Sequence, residues 1–339
     1  MLRRPEGSPP GAGPQAVNFA ASPTSRKAMR TLVCGSLAYD TIMVFPDHFA
    51  RHILPDQAQV LSVSFQIGEM RREWGGCAGN IAYNLKPIGG EPVVMATIGD
   101  DGVEYRERLA ALGIAVDGVR HVPGAYTGQA FIITDLDDNQ ITAFHPGAMN
   151  YSHQSRVGDV GGIGLGIIAP DGKEGMRTHA EQFAQAGIPF IFDPGQGMTL
   201  FDGPELLAFI DKARYVAVND YEGRMLAERT GVPLAALAER VDALIVTLGA
   251  DGSVIHAGGA TYPIPAAKAA AVLDPTGCGD AYRAGLLYGI AQGWDWERTG
   301  GLASVLGALK IASRGAQKHT VTRDLVGALY RSTFGTDLW

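Results

Sequence analysis

The sequence predicts a doubly wound α/β fold, a mostly parallel sheet between helices, carrying a small β-sheet lid. Two observations point to the main sheet. Short apolar runs end repeatedly in turn chemistry, and helical patterns lie between them. A third points to the lid: two β-rich stretches without helices interrupt the alternation. The main strands read as Thr31–Cys34, Val93–Ile98, Ile163–Ile168, Pro189–Phe192, Tyr215–Val218 and Ala243–Thr247. Their continuous apolar character suits strands covered on both faces. Helices are expected over Glu104–Leu112, Thr178–Ala186, Glu205–Lys212, Tyr221–Thr230 and Leu234–Val241. The C-terminal part reads as helical over Ala281–Ala291, Trp296–Arg314 and Asp324–Phe334. Thr127–His145 forms two β-rich runs around Asp137-Asp138-Asn139, a hairpin signal. Ile42–Glu73 holds no good helix and includes the alternating run Val60–Phe65. The lid is therefore expected at about residues 42–74 and 126–147.

Composition narrows the function classes. The 339 residues are 46% hydrophobic, enough for a sizeable core and incompatible with a wholly disordered chain. A net charge of −7, without a Lys/Arg run, argues against a nucleic-acid partner. The three cysteines, Cys34, Cys77 and Cys278, lie far apart and form no CxxC, so reduced thiols in a cytoplasm are expected. No 18-residue apolar run exists, so no membrane helix is expected. The histidines show no HExxH spacing, which argues against zinc. Residues 1–28 are rich in Pro, Gly, Ser and Ala without hydrophobic periodicity and read as a disordered tail ahead of one domain over 29–339. That tail lacks a signal-peptide apolar core; its low acid content leaves a transit peptide open, and Met29 is an alternative start.

The most informative segment is Asp274-Pro-Thr-Gly-Cys-Gly-Asp280. Gly277 and Gly279 allow close backbone approach to a ligand, and a helix follows. The free N–H groups and dipole of a helix N-terminus make an anion site, with Asp280 beside it as a candidate proton acceptor. Asp280 as a plain helix-terminal carboxylate is the alternative. Gly75-Gly76-Cys77-Ala78-Gly79-Asn80 is a second glycine-rich turn before a short helix, Ile81–Leu85, where Asn80 either caps or binds. Asp40 is expected just beyond the first strand's carboxyl end, where open α/β sheets bind ligands, or in an ordinary loop. Asn219 and Glu222 have capping-box spacing, and a place near Mg²⁺ competes with that reading. Thr247-Leu-Gly249-Ala-Asp-Gly252 follows a strand and either binds or simply turns into a hairpin strand, Ser253–His256. Gly164-Leu-Gly166-Ile-Ile-Ala169 matches a dinucleotide fingerprint only superficially, because its glycines lie inside the apolar run.

Taken together and in this order, the motifs resemble the ribokinase-like (PfkB) family, and within it the prokaryotic broad-specificity nucleoside kinases. The narrower likeness lies in Asp138–Ala148, Asp193-Pro-Gly-Gln196 and Asp274–Gly289. The resemblance implies a ribokinase-like αβα domain that binds ATP and closes a lid over the acceptor. It implies Asp280 as catalytic base and an anion hole of main-chain N–H groups from Gly277, Cys278 and Gly279. Asp40, Gly75, Gly76 and Asn80 would bind the substrate. Asn219, Thr247, Gly249 and Gly252 would line the ATP site, with Glu222 holding Mg²⁺ through water. Asp274 and Thr276, with Gly315 nearby, would correspond to a monovalent-cation (K⁺) site. The chain departs from the family at Cys278, where Ala is usual, and at Pro275, which removes one N–H. A sugar kinase of the same family is the main alternative, with Arg71 and Arg72 as candidate phosphate ligands; a non-catalytic nucleoside-binding regulator is the other. Pairing of lids into a homodimer is expected.

Overall fold

Alternation along each central strand divides the core into two layers. The computed structural model describes residues 29–52, 63–137 and 139–339. Its first half runs β1 (Arg30–Cys34), β2 (Ala38–Val44), β3 (Glu69–Gly75), α1 (Cys77–Leu85), β4 (Glu91–Ile98), α2 (Val103–Ala111), β5 (Ala115–His121), β6 (Gly128–Thr134) and β7 (Gln140–His145). It continues with β8 (Ile163–Ile168), α3 (Lys173–Ala186), β9 (Phe190–Phe192), α4 (Gly203–Ile210), β10 (Tyr215–Asn219), α5 (Asp220–Thr230), α6 (Leu234–Ala238) and β11 (Ala243–Thr247). The last part is β12 (Ser253–Ala257), β13 (Ala260–Ile264), α7 (Cys278–Gln292), α8 (Trp296–Ile311) and α9 (Arg323–Phe334). The main sheet has the order β13-β12-β11-β10-β9-β8-β1-β4-β5. From β11 to β5 every neighbour pair is parallel, and β12 and β13 add an antiparallel edge.

Val33, Val94, Ala217 and Ile245 point to the layer that includes α1, α7 and α8. Their neighbours Leu32, Val93, Val216 and Leu244 point to the opposite layer, with α3 to α5. Apolar residues at both parities are what a strand covered on two faces requires. The chain leaves β1 toward β4 and β5, then returns to β8 on β1's other side. That reversal opens a crevice at the strands' carboxyl ends, the expected ligand position in such sheets.

A separate four-stranded sheet, β3-β2-β6-β7, covers this end. It starts earlier than expected. Asp40 lies within β2, paired with Glu73 of β3 and Ala130 of β6, not in a loop beyond β1. The reason is a sharp departure from the main sheet: only Gly35, Ser36 and Leu37 separate β1 from β2. β5 was not anticipated, because this edge strand buries only Gly118 and Val119 and so carries little apolar signal. β13 escaped notice for the same reason. The helix predicted over Leu234–Val241 ends at Ala238. The tail expected over residues 1–28, the first half of the run 60–65 and Asp138 at the hairpin tip lie outside the described residues. Among the described residues, no helix is long and apolar enough to cross a membrane.

Candidate active site

The crevice is a cavity of about 740 Å³ between the main sheet and the lid, within the usual range for small-molecule sites. Its floor comes from strand ends and helix starts. Ser36 follows β1, Asp171 follows β8 and Asp193 follows β9, while Asn219 and Thr247 end β10 and β11. Its roof comes from the lid, where Ala38, Asp40, Ala130, Ile132, Thr142 and Phe144 face inward. The register explains this: Asp40 pairs with Ala130, and Ala130 with Phe144, so all three share one face of the sheet.

At the cavity's centre is the start of α7. Gly277 is its N-cap, with φ +79°, and Asp280 is in the first helical turn. The Cys278 N–H donates to Pro275 O at 3.1 Å, closing the turn. Cys278 therefore does not offer the N–H expected of it, and it does not line the cavity. The N–H groups of Gly277, Gly279 and Asp280 have no partner among the described residues. They make the anion-binding end of the helix. Asp280 Oδ2 accepts a hydrogen bond from Asn80 Nδ2 at 2.8 Å. Asn80 is not a cap. α1 begins at Cys77 with Gly76 as its N-cap, so Asn80 lies in its first turn, buried. Its Oδ1 accepts from Gln317 Nε2 at 2.9 Å, which fixes the amide orientation toward Asp280. Burial raises the Asp280 pKa to about 6; the Asn80 bond and the Arg283 guanidinium oppose this, while Asp193 adds to it.

Sequence reasoning missed the ion pair underneath. Arg283 Nη2 lies 3.1 Å from Asp193 Oδ1, both buried. Arg283 follows Asp280 by three helical positions and so shares its face of α7, a spacing visible in the sequence. Asp193 directly follows its strand, close to where Asn219 and Thr247 end theirs. Asp171, also unassigned from sequence, is buried against the cavity, and burial raises its pKa to about 7.

Asp40 sits on the lid side. Its carboxylate lies so close to Gly75 that a Cβ there would be 2.6 Å from Asp40 Oδ2. Gly75 thus makes room for Asp40 and does not itself line the cavity. Burial, with Glu73 and Asp274 nearby, raises the Asp40 pKa to about 6. Asn219 and Glu222 form the capping box: the Asn219 side chain accepts from Glu222 N at 2.7 Å, and Glu222 Oε2 accepts from Asn219 N at 2.8 Å. Both still line the cavity. Burial, then Asp193, raises the Glu222 pKa. Thr247 lines the cavity; Gly249 and Gly252, with φ +61° and +89°, shape the turn behind it without lining it.

Asp274 and Thr276 do not present the open ligand set of a K⁺ site. Asp274 Oδ1 accepts from Thr276 N and Oδ2 from Gly315 N, each at 2.8 Å. The Asp274 carbonyl accepts from Lys310 Nζ at 2.8 Å. Among the described residues, no cluster of three His, Cys, Asp or Glu could hold a metal.

A family model for pfkB family carbohydrate kinases matches residues 38–323. The chain is 30% identical over 267 residues to a nucleoside kinase of Methanocaldococcus jannaschii, spanning 78% of this chain and 88% of that one. It is also similar to the solved Burkholderia thailandensis nucleoside kinase in complex with inosine, with 50% identity and a TM-score of 0.83 over 91% of this chain and 99% of that one. The same kinase is known in complex with ADP-inosine, at 52% identity and a TM-score of 0.81 over 91% and 97% of the two chains. With the family model spanning the lid, the sheet and the α7 turn alike, the chain belongs to the pfkB family of carbohydrate kinases.

Proposed function

We propose that the protein is an ATP-dependent nucleoside kinase, transferring the γ-phosphoryl group to the 5′-hydroxyl of a purine nucleoside such as inosine or adenosine. The observation that carries this is the cavity's lining: apolar Ala130, Ile132 and Phe144 on the lid, beside Asp40 on the same face and with Asn80 across the cavity. A base suits the first and ribose hydroxyls suit the second. The Burkholderia relative binds inosine and ADP-inosine. A sugar phosphate is the poorer acceptor. Arg71 pairs with Glu73, and Arg72 stacks on Tyr39 and faces Asp101. Neither lines the cavity, where the one cation among the described residues is Arg283, already paired with Asp193.

In this reading Asp280 accepts the 5′-hydroxyl proton as the oxygen attacks the γ-phosphorus, and the bond from that phosphorus to the β–γ bridging oxygen breaks to release ADP. The free N–H groups of Gly277, Gly279 and Asp280 stabilise the charge on the transferring phosphoryl group. Asn80 orients the base, and Asp40 with Asn80 aligns the ribose. Asn219 and Thr247 serve the nucleotide side, with Gly249 and Gly252 shaping that wall. Mg²⁺, when bound, neutralises phosphate charge. The donor set fits it loosely: Glu222 and Asp193 offer hard oxygens without a closed cage, as expected for an ion that keeps several waters.

An acceptor panel tests the assignment. Inosine and adenosine should exceed ribose in kcat/KM by roughly 10–100-fold, the effect of burying about one apolar ring. Higher kcat/KM for ribose or fructose 6-phosphate would make this a sugar kinase; no phosphoryl transfer to any acceptor would favour a binding regulator. Glu222→Gln should raise the Mg²⁺ concentration for half-maximal rate about tenfold, as for other groups that hold a metal through water. An unchanged Mg²⁺ profile with lower thermal stability would leave Glu222 as a cap alone.

The lid's outer face suits a second copy of the chain. Met70, Phe131 and Ile141 are exposed there, opposite the cavity face. Sedimentation of the intact protein reads that association directly. A reducing cytoplasm is the proposed compartment, in keeping with three free cysteines.

A further inference from the structure

Lys310 lies in the last turn of α8 and is completely buried, an unusual place for an ammonium group. Among the described residues, its Nζ has no carboxylate partner within salt-bridge distance. It donates instead to two main-chain carbonyls, Asp274 O at 2.8 Å and Ser313 O at 3.0 Å. These belong to the two loops that flank the anion-binding turn. One, at Asp274, leads directly into Gly277; the other, after α8, leads to Gly315 and to Gln317, which orients Asn80. Further bonds tie the loops together. Leu273 N donates to Ile311 O at 2.9 Å, and Asp274 Oδ2 accepts from Gly315 N at 2.8 Å.

A monovalent cation bound by carbonyl oxygens is the ordinary chemistry of K⁺ in proteins. The residues here do not fit a free K⁺. The carbonyl of Asp274 faces the Lys310 ammonium, whose fixed charge repels a second cation, and each Asp274 carboxylate oxygen already accepts a backbone N–H group. The positive charge is compensated in place. Carbonyls at the C-terminal end of α8 carry the negative pole of the helix dipole. Burial pushes the Asp274 carboxyl up, but the N–H groups of Gly315 and Thr276 and the Lys310 charge outweigh it, so the carboxyl stays below the ordinary range. His319 feels the same neighbour: burial, then the Lys310 charge, lowers its pKa to about 4.

We infer that Lys310 is a built-in monovalent cation, a positioning residue whose ammonium holds the Asp274 and Ser313 loops together and removes any requirement for K⁺ in shaping the α7 turn. A tethered cation suits this place because it cannot dissociate and two of its three N–H groups meet carbonyl acceptors. The inference rests on the kinase reading for its activity readout, and the nucleotide-binding readout is independent of turnover.

The test has two arms. In the first, the wild-type protein is assayed for turnover and for ADP affinity with KCl replaced by tetramethylammonium chloride at constant ionic strength. Both should stay unchanged. Activation by K⁺, or tighter ADP binding in K⁺, overturns the inference. In the second, Lys310→Ala should lose about 10²-fold in kcat, the cost typical of misplacing a catalytic group by an ångström. Addition of K⁺ or ammonium ions should restore much of the loss. Full turnover without them, or a loss that neither cation relieves, overturns it. If the variant does not fold, the wild-type arm decides alone. A wild type inactive in every salt would count against the kinase reading, while ADP binding would still report on the cation.

Discussion

Asp280→Asn is expected to lower kcat by about 10²–10⁴-fold, the contribution typical of a positioned general base, while nucleoside affinity changes little. The replacement is close to isosteric, and its Oδ1 can still accept from Asn80 Nδ2. What disappears is the proton acceptor, so the loss belongs in kcat more than in KM. The measurement is single-turnover phosphoryl transfer beside an equilibrium Kd for the nucleoside. A fully active variant would return Asp280 to the role of a helix-terminal residue.

The same carboxylate sets the pH dependence. Its pKa is raised to about 6, chiefly by burial, so the base is charged at pH 7–8 and protonated below about 6. Wild-type kcat should fall as pH drops through that value. The linkage has the opposite sign for stability. A carboxyl whose folded pKa exceeds its unfolded one binds protons more tightly when folded, so folding stability declines as pH rises from about 4 toward 6. Asp280→Asn, neutral at every pH, escapes that decline. It should melt at a higher temperature than the wild type at pH 8, and the difference should shrink toward pH 5. Gain of stability with loss of turnover is the combination expected of a group kept charged for chemistry.

The parts of the site legible in the sequence are those where backbone chemistry and function coincide. Gly277, Gly279 and Asp280 announce a strained turn at a helix start, and the helix follows where glycine and aspartate demand it. The Asn219–Glu222 spacing declared a capping box, which the two reciprocal hydrogen bonds bear out. Strand ends of the main sheet were legible because continuous apolar runs leave no alternative. Less visible was anything set by pairing between distant segments. Asp40 resembled a loop residue because β2 carries polar residues among its apolar ones, and only its pairing with β3 and β6 makes it a strand. The Arg283–Asp193 pair joins residues far apart in the chain, and no local pattern reports it. Lys310 was hidden among apolar helix residues, since a lysine near a helix end ordinarily reads as a solvated favourable charge. The Cys278 N–H illustrates the converse: the motif suggested a donor, and the turn's own geometry consumes it.

Gly76→Ala is expected to be the most destabilising small change at the hinge between lid and sheet. Gly76 ends the chain's passage from β3 and caps α1, with φ +85° and ψ 137°. A Cβ there would lie 2.5 Å from Ser36 O, 2.7 Å from Ala38 N and 2.8 Å from Leu37 Cα. All three atoms are backbone, in the segment joining β1 to β2, so no side chain can swing aside. Strain at this sparsely populated positive φ of about 1–3 kcal/mol and overpacking of about 1–3 kcal/mol together predict a loss of roughly 2–6 kcal/mol. Gly187→Ala is the control. It too has positive φ, +64°, but nothing lies within 4 Å of its would-be Cβ, so only strain, about 1–2 kcal/mol, applies. Denaturant midpoints of the two variants separate strain from clash. The clash also bears on chemistry, because Ala78 N donates to Ser36 O at 3.0 Å, locking the start of α1 against the β1 loop. Pushing these apart shifts Asn80 relative to Asp280, and an ångström of misplacement costs about 10²-fold in rate. Gly76→Ala should therefore lose turnover in the fraction that remains folded, whereas Gly187→Ala should keep it. Equal midpoints for the two variants would show that the β1 loop yields to the added methyl, and with it the rigid seat assigned here to Asn80 would fail.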